Sequence, residues 1–573
     1  MNKYLSDLDQ LSASLGQASC KGRKTVNQDF HGALVPDGRA LSLKGITVAL
    51  ADGISTSEVS HVAAETAVKS LLTDYYATPD SWAAQTGIST VINATNSWLH
   101  AQTTGTTSGD VDRGYVCTIA ALVLKARQAH LFHVGDSRIW RVSGASLEPL
   151  TQDHQSMGML SAALGARQTI EITYKSVTLA PGDIFILTTD GVHEFWAPSD
   201  VIARIAEGDL QTAAEDTLSA ALEAGSPDNM TVQIVRIDAL PTGHNGINSD
   251  ALTLPFPSIP NAGDILDGYE ILRTIHGNHR SHLFLAKAPD GTKVALKIPG
   301  SETRNDPEQL RRFVLEEWIA RRLTNPHLLN APPSLETPRT YLYSVTDYIE
   351  GQTLRQWMAD NPEPSPEQVR DIVEQTVKGL RSFHRREMLH QDIRPENIMI
   401  SADGVVKLID FGAAYVAGVQ EAAPVPEEAG ILGTYQYTAP EYFSNEVVSF
   451  RSDMFSIGTI AYEMLTGHLP YGTQIARVRS PRDRAALRYR SAQGDTRAIA
   501  QWIDEALARA VHSDPYKRYE TFSDFIRDLR RPSAAYQKRH ARPLIERNPL
   551  KFWQGLTIAL AVLSTVLAAQ LMK

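Results

Sequence analysis

Apolar positions along the chain fall into runs of two kinds. Ile46 to Ala51, Ala120 to Leu124, His130 to Val134, Ile184 to Thr188 and Thr231 to Ile237 are short runs of branched and small residues, most ending near Gly, Asp or Pro, and predict β-strands. Between them, His61 to Leu72 and Ile88 to Leu99 repeat at helical spacing, so the first 240 residues read as layered sheets and helices. From Pro241 to Asp264, four prolines (Pro241, Pro255, Pro257 and Pro260) and little periodicity predict a linker, with bounds 240–264. Strand-like runs then return at Tyr269 to Ile275, His282 to Ala286 and Val294 to Ile298. Helical patterns follow at Pro307 to Leu323, Pro366 to His384, Asp453 to Leu465 and Ala498 to Ala510. A small sheet lobe followed by a helical lobe is implied over 265–532. The last pattern, Phe552 to Met572, is 21 residues without a charge, which as a helix is about 31 Å long and can span a bilayer.

With 573 residues, 43% of them hydrophobic and 21% charged, the chain is too long for one core and too ordinary in composition for wholesale disorder. Two cysteines, Cys20 and Cys117, cannot build a disulfide framework, and the start Met1 to Gln10 has no apolar signal core, which points to a reducing cytosol. Residues 1–240 hold 16 Lys and Arg against 26 Asp and Glu, and the remainder is balanced at 39 against 39. All the net charge of -10 therefore sits in the first domain. An acidic domain repels phosphate backbones, so a nucleic-acid partner is not expected, whereas inward-facing acids suit a divalent metal. Lys538, Arg539, Arg542, Arg547 and Lys551, in a basic segment over 533–551, precede the apolar segment 552–572 and only Lys573 follows it. That bias predicts a single-pass tail anchor with everything before it cytoplasmic.

In the first domain, Asp52-Gly53 and Asp190-Gly191 end strand patterns and Asp228-Asn229 precedes one. Each pair alone is a turn signal. Together they place three carboxylates at strand ends, where hard divalent ions find oxygen ligands and a Gly carbonyl can approach unobstructed. Paired ions there would ionise a bridging water to attack phosphorus in line. The motifs Asn27-Gln28-Asp29, Ala51-Asp52-Gly53, His133 to Arg138, Leu150 to His154, Thr189-Asp190-Gly191 and Pro227 to Val232 run in the order of a metal-dependent PP2C-type (PPM) protein phosphatase. The resemblance covers about residues 15–238. It implies, within domain bounds 1–239, an α+β fold, an α-β-β-α sandwich holding two Mn or Mg ions between the sheets, and hydrolysis of phosphoserine and phosphothreonine. It further implies that Asp52 bridges both ions, the Gly53 carbonyl binds one, Asp190 and Asp228 bind the other, Asp29 adds to the set, and Asp136 serves a third. The family usually has Glu where this chain has Gln28 and Arg where it has Lys24, the implied phosphate contact, and Ile54-Ser55-Thr56 replaces a double glycine. Lys keeps a point charge for phosphate but loses the bidentate fork.

In the second domain, Lys297 of Val294-Ala295-Leu296-Lys297 sits on a strand pattern and Glu316 on the following helix, where an ion pair would hold the lysine against phosphates. His390 to Asn397, Asp410-Phe411-Gly412 and Ala439-Pro440-Glu441 follow in order. Together these resemble a eukaryotic-type Ser/Thr protein kinase over about Tyr269 to Leu529, including Asp453 and Arg518, the partner of Glu441. The resemblance implies a bilobal α+β fold using Mg and ATP. Lys297 would orient the α and β phosphates with Glu316 as its partner, Asp410 and Asn397 would hold Mg, Asp392 would accept the substrate hydroxyl proton, and Arg394 would replace the usual γ-phosphate lysine. The phosphate-covering loop departs most. In the register set by Ile275 and Leu283, its three expected glycines become His276, Asn278 and Ser281, and only Gly277 remains, off register. Side chains there restrict approach of backbone amides to phosphate, which leaves a nucleotide-binding pseudokinase scaffold as the alternative. Gln391 stands where an arginine often reads an activation-loop phosphate. Since Ala413 to Gly433 contains Tyr415 but no Ser or Thr, no phosphate there is expected to be required. The pairing on one chain resembles bacterial bifunctional kinase/phosphatase proteins, which implies the cytoplasmic face of a cell inner membrane as the address and Ser/Thr phosphoproteins, the chain's own kinase domain among them, as the substrates.

Overall fold

The computed structural model describes residues 10–571, apart from 157–158, 208, 242–251, 336, 423–435, 445, 495–498 and 541–548. The sequence readings at Ala498, Arg542, Arg547, Met572 and Lys573, and most of the phosphosite expectation, at 423–433, lie outside the described residues.

The N-terminal domain stacks two five-stranded antiparallel sheets. One has the order β1-β10-β9-β6-β7, from β1 (Ser12–Cys20), β6 (Arg138–Ser143), β7 (Ser146–Pro149), β9 (Ile184–Thr188) and β10 (Met230–Ala239). The other has the order β8-β5-β4-β3-β2, from β2 (Asp29–Leu34), β3 (Ile46–Asp52), β4 (Ile119–Lys125), β5 (Gln128–Val134) and β8 (Thr173–Thr178). A short helix α1 (Gly38–Lys44) leads into β3. Helices α2 (Ser60–Ala77) and α3 (Ala84–Thr106) cover the outer face of the second sheet, and α4 (Pro198–Glu207) and α5 (Leu210–Glu223) that of the first. The unbroken apolar runs follow from this burial on both faces. Along β3, Ile46, Val48 and Leu50 meet the facing sheet while Ala49 and Ala51 meet the helices. The small residues on the helix side let α2 and α3 pack close, as period-two alternation requires.

The second domain is bilobal. Strands β11 (Tyr269–Gly277), β12 (Ser281–Lys287), β13 (Lys293–Pro299) and β14 (Ser344–Asp347), with the short pair Ile265–Leu266 at one edge, form an antiparallel sheet. Helix α6 (Pro307–Ala320) packs against it, started by Asp306, which accepts from the Glu308 and Gln309 amides. The helical lobe gathers α7 (Pro366–His384), α8 (Ala417–Ala422), α9 (Phe450–Thr466), α10 (Gln501–Ala510) and α11 (Phe522–Arg530) around a shared core. Helix α7 starts where the sequence places it because Ser365 and Gln368 form a reciprocal capping box with Pro366 at the first helical position.

Two readings change. The second part of the expected linker is not free chain. Leu252, Leu254 and Phe256 pack on the bilobal domain's core, Leu342 N–H donates to Pro255 O at 2.9 Å, and Arg304 donates to Pro257 O at 3.0 Å while lying over the Phe256 ring. Apolar side chains spaced two apart among prolines make an adhesive arm, and prolines alone do not make a spacer. At the C-terminus, α12 (Pro549–Leu571) begins before the expected Phe552 and includes Lys551. Its span Leu550–Gln570 has mean hydropathy 1.7, and Leu550, Trp553, Ile558 and Leu560 are all exposed. This single apolar helix fits a transmembrane helix.

Candidate functional sites

Register brings the first acidic site together. Asp29 on β2 pairs directly with Asp52 at the end of β3, while Asp190 starts the turn after β9 and Asp228 the turn before β10. Gly191 is needed there, since a Cβ on it would lie 2.0 Å from Asn229 O. Asp29 Oδ2 accepts from Thr189 and Thr231 hydroxyls at 3.0 and 2.7 Å, whereas its Oδ1 is buried without a donor. Burial, partly offset by the Thr231 and Thr189 bonds, pushes the Asp29 carboxyl up to about 6. Burial and the neighbouring charges of Asp29, Asp190 and Asp136 push Asp52 well above the usual carboxylate range. Burial, with Asp190 nearby, raises Asp136 to about 6, and burial plus Asp228 raises Asp190.

Among the described residues, Asp29, Asp52, Asp136 and Asp190 are held above the usual carboxylate range and none of the four is ion-paired to a cationic side chain. Oxygen-only donors and a buried, donorless Oδ1 fit a hard divalent cation. Among the described residues no three acidic, His or Cys side chains are yet grouped to hold an ion together. Asp228 is instead ion-paired to Lys24, whose Nζ also donates to Ser55 Oγ at 2.5 Å. Lys24 thus reaches the edge of the carboxylate cluster.

Gln28 has a role that sequence reasoning missed. Its Nε2 donates to Ser57 O and Ser60 Oγ, both at 2.7 Å, and lies 3.3 Å from Ile54 O. Its backbone N–H donates to Asn229 Oδ1, and Asn229 Nδ2 donates to Lys21 O and Val26 O. The side chain ties down the loop after Asp52-Gly53, a task that needs an amide donor. The replacement of a double glycine by Ile54-Ser55-Thr56 is the sequence signal that this loop is held differently.

In the bilobal domain, Lys297 Nζ donates to Glu316 Oε2 at 2.6 Å across the β13–α6 gap. Burial pushes Lys297 down, but Glu316 and Asp410 more than offset it, so the ammonium is held charged. Asn397 Nδ2 donates to Asp392 O at 2.9 Å and Oδ2 at 2.8 Å. Burial, opposed by His390, raises the Asp392 carboxyl. Gln391 and Asp410 sit at positive φ, 65° and 63°, and Phe411 stacks edge-on against Phe383 and His390. Lys297, Glu316, Asp392, Arg394, Asn397 and Asp410 line one cleft of about 870 Å³. Below it, Asp453 accepts from the backbone of His390 and Gln391, and Arg518 makes a fully buried two-bond pair with Glu441 at 2.7 Å each.

The loop over the cleft differs from the sequence expectation. Leu283 lines the cleft, but Ile275 and Gly277 do not; His276, Asn278, Arg280 and Ser281 take that place. A register irregularity between Thr274 and His276 leaves Ile275 partly exposed, while Gly277 pairs with His282 and borders a separate groove with Gly300 and Arg304. The turn is closed by Asn278, whose Oδ1 accepts from the amides of Arg280 and Ser281, each at 2.9 Å. Gly300 N–H and Thr303 Oγ1 both donate to Arg280 O, pinning the hairpin to the chain beyond β13. Two backbone amides of the loop over the cleft are thereby occupied by a side chain of the same loop.

Comparison with known proteins follows this division. The protein phosphatase 2C family model matches residues 17–224 and the protein kinase domain model matches residues 276–528. Serine/threonine-protein kinase PrkC of Bacillus subtilis is 28% identical over 270 residues, 46% of this chain and 40% of the relative. The chain thus spans well under two thirds of that relative's length. The solved PknI kinase domain of Mycobacterium tuberculosis (25% identity, TM-score 0.38) covers 48% of this chain and 100% of its own. PppA of Pseudomonas aeruginosa, described as a key regulatory component of T6SS (21% identity, TM-score 0.35), covers 40% of this chain and 99% of its own.

Proposed function

We propose that this chain, which carries a protein phosphatase 2C domain followed by a Ser/Thr protein kinase domain, both removes and adds phosphate on Ser and Thr side chains of proteins. In the first domain, Asp52, the Gly53 carbonyl, Asp190 and Asp228 would hold two divalent cations, Mn or Mg, with Asp29 alongside and Asp136 serving a third. Such ions would supply an activated water nucleophile and neutralise charge on the phosphoryl group. Lys24, paired with Asp228, would exchange that partner for the substrate phosphate once the cluster's charge is balanced.

In the second domain, Lys297 held by Glu316 would orient the ATP phosphates, and Asp410 with Asn397 would hold Mg. Asp392, its carboxylate fixed by the Asn397 amide, would take the proton of the attacking hydroxyl while Arg394 faces the γ-phosphate. Phosphoryl transfer is mainly positioning and charge neutralisation, and these groups supply both. The observation that carries the two-enzyme reading is the 2.6 Å Lys297–Glu316 pair in one cleft with Asp392, Asn397 and Asp410. The Asn278 turn favours the second reading, a nucleotide-binding pseudokinase that regulates the phosphatase, because it occupies amides that phosphate would use.

The test is a pair of assays on the full chain, Mn-dependent hydrolysis of p-nitrophenyl phosphate and radiolabel transfer from ATP to a generic protein. Asp52→Ala should abolish only the first and Asp392→Ala only the second. Absence of transfer in the wild type would select the pseudokinase reading. For the apolar helix, the flanking charge bias supports a single-pass anchor with both catalytic domains on the cytoplasmic side, and the resemblance of the domain pairing to bacterial bifunctional kinase/phosphatase proteins supports an inner membrane as the address.

A further inference from the structure

The two domains touch, and the contact has chemistry of its own. Helix α3 of the phosphatase domain starts at an Ala83 N-cap with no side-chain cap. Its missing acceptors come from the kinase domain. Ala83 N–H donates to Glu387 Oε2 at 2.8 Å, Ala84 N–H to Glu421 Oε2 at 2.8 Å, and Thr86 Oγ1 to Glu387 Oε1 at 2.5 Å. Carboxylates at a helix start satisfy free amides and meet the positive end of the helix dipole. Glu421 also receives Lys125 Nζ at 2.9 Å, and Lys125 is 0% exposed. Burial pushes that lysine's pKa down and Glu421 pulls it back, so the kinase carboxylate is its counter-charge.

Shape agrees with charge. Gly418 N–H donates to Ser81 O at 2.8 Å, and a Cβ at Gly418 would lie 2.4 Å from Asp80 O and 2.5 Å from Trp82 O. Leu43 of α1 belongs to the same buried cluster as Val419 and Ala422 of α8. Trp82 Nε1 donates to Arg385 O, and Arg322, stacked on Trp318, approaches Asp80. Glu387 is held at φ 54°, a left-handed conformation that non-glycine residues rarely adopt, with its own carbonyl accepting from Ala417.

The kinase residues gripped lie on the elements that set its active site. Arg322 follows the helix carrying Glu316, Glu387 precedes the loop carrying Asp392, and Gly418 and Glu421 sit at the root of the activation segment that begins at Asp410. In this docked arrangement the Lys297–Glu316 and Asn397–Asp392 bonds are made. The contact lies at the Ile46 end of β3, whereas the acidic site lies at its Asp52 end, about 20 Å away along the strand.

We propose that the phosphatase domain doubles as a docking support for the kinase domain, its uncapped α3 start and Lys125 gripping Glu387 and Glu421 so that the activation-segment root stays in the geometry of an assembled kinase site. The supporting role rests on the kinase being active; the docking itself does not. Two full-length variants test it, Gly418→Leu, a wedge, and Glu387→Gln with Glu421→Gln, which removes the charge and keeps the shape. Amide hydrogen exchange should speed up at least tenfold at Ala83 and Ala84. The kcat of phosphate transfer should fall at least fivefold, with p-nitrophenyl phosphate hydrolysis within twofold of wild type. Unchanged exchange in both variants would refute docking. Faster exchange with unchanged or increased transfer would refute the supporting role. A wild type that transfers no phosphate would sink the bifunctional reading, and the exchange result would still decide whether the domains dock.

Discussion

Replacing Gln28 by Glu restores the residue more usual at this position in the phosphatase family, and the structure predicts that it does harm. The Gln28 amide gives its protons to Ser57 O and Ser60 Oγ at 2.7 Å, and a carboxylate would instead set acceptors against a buried carbonyl. Each buried acceptor left without a donor costs about 1–3 kcal/mol. The variant can escape by taking up a proton, which at pH 7 costs about 3.7 kcal/mol for a carboxyl of ordinary pKa near 4.3. One donated bond then returns and one is lost, for a total of roughly 5–7 kcal/mol. A carboxyl whose folded pKa is raised is tolerated at low pH and becomes costly as pH rises through that value, so the penalty should shrink by about 2 kcal/mol between pH 7 and 5.5. Urea denaturation of both proteins in EDTA at the two pH values, followed by tryptophan fluorescence, measures this. A penalty below about 1 kcal/mol at pH 7, or one that does not change with pH, would refute the assignment of Gln28 as a loop tie.

The acidic cluster predicts metal–proton competition: with Asp29 and Asp136 raised to about 6, their contribution to metal-free stability is present at low pH and lost as pH rises through about 6. Manganese should therefore raise the melting temperature more at pH 7.5 than at pH 5.5, and equal shifts in thermal scans would contradict this. Asn278→Gly frees the Arg280 and Ser281 amides and should lower the KM for ATP several-fold in steady-state transfer kinetics; an unchanged or higher KM would remove the loop from nucleotide binding. Glu441→Gln leaves the fully buried Arg518 charge without its counter-ion and should cost about 3–5 kcal/mol, read by denaturation of the kinase domain. A loss below about 1 kcal/mol would show that the pair is not load-sharing.

What the sequence made legible is what local periodicity and short motifs encode. The strand readings from Ile46, Ala120, Ile184 and Val294 fall on β3, β4, β9 and β13, and Pro366 to His384 is a helix with those bounds because its capping box and proline are local signals. The Asp29–Asp52 and Lys297–Glu316 neighbourhoods follow from motif order. Other features depend on partners distant in sequence. Strand β1 (SASLGQASC) has too little alternation to read, and is defined by its register with β10. The Gln28 amide bonds, the Asn278 turn and the Leu252–Phe256 arm each need a neighbour that only the fold supplies. The α3 start is the clearest case. Ala83 and Ala84 are featureless in sequence, and their caps arrive from residues some 300 positions away.

The most direct test of two opposed activities on one chain is a single-tube time course. The full chain labels a generic protein from radioactive ATP with magnesium, the ATP is then consumed with hexokinase and glucose, and manganese is added. Label should accumulate and then fall in the wild type, accumulate and persist in Asp52→Ala, and never appear in Asp392→Ala. Wild-type label that never forms, or that persists after manganese as it does in Asp52→Ala, would contradict the account.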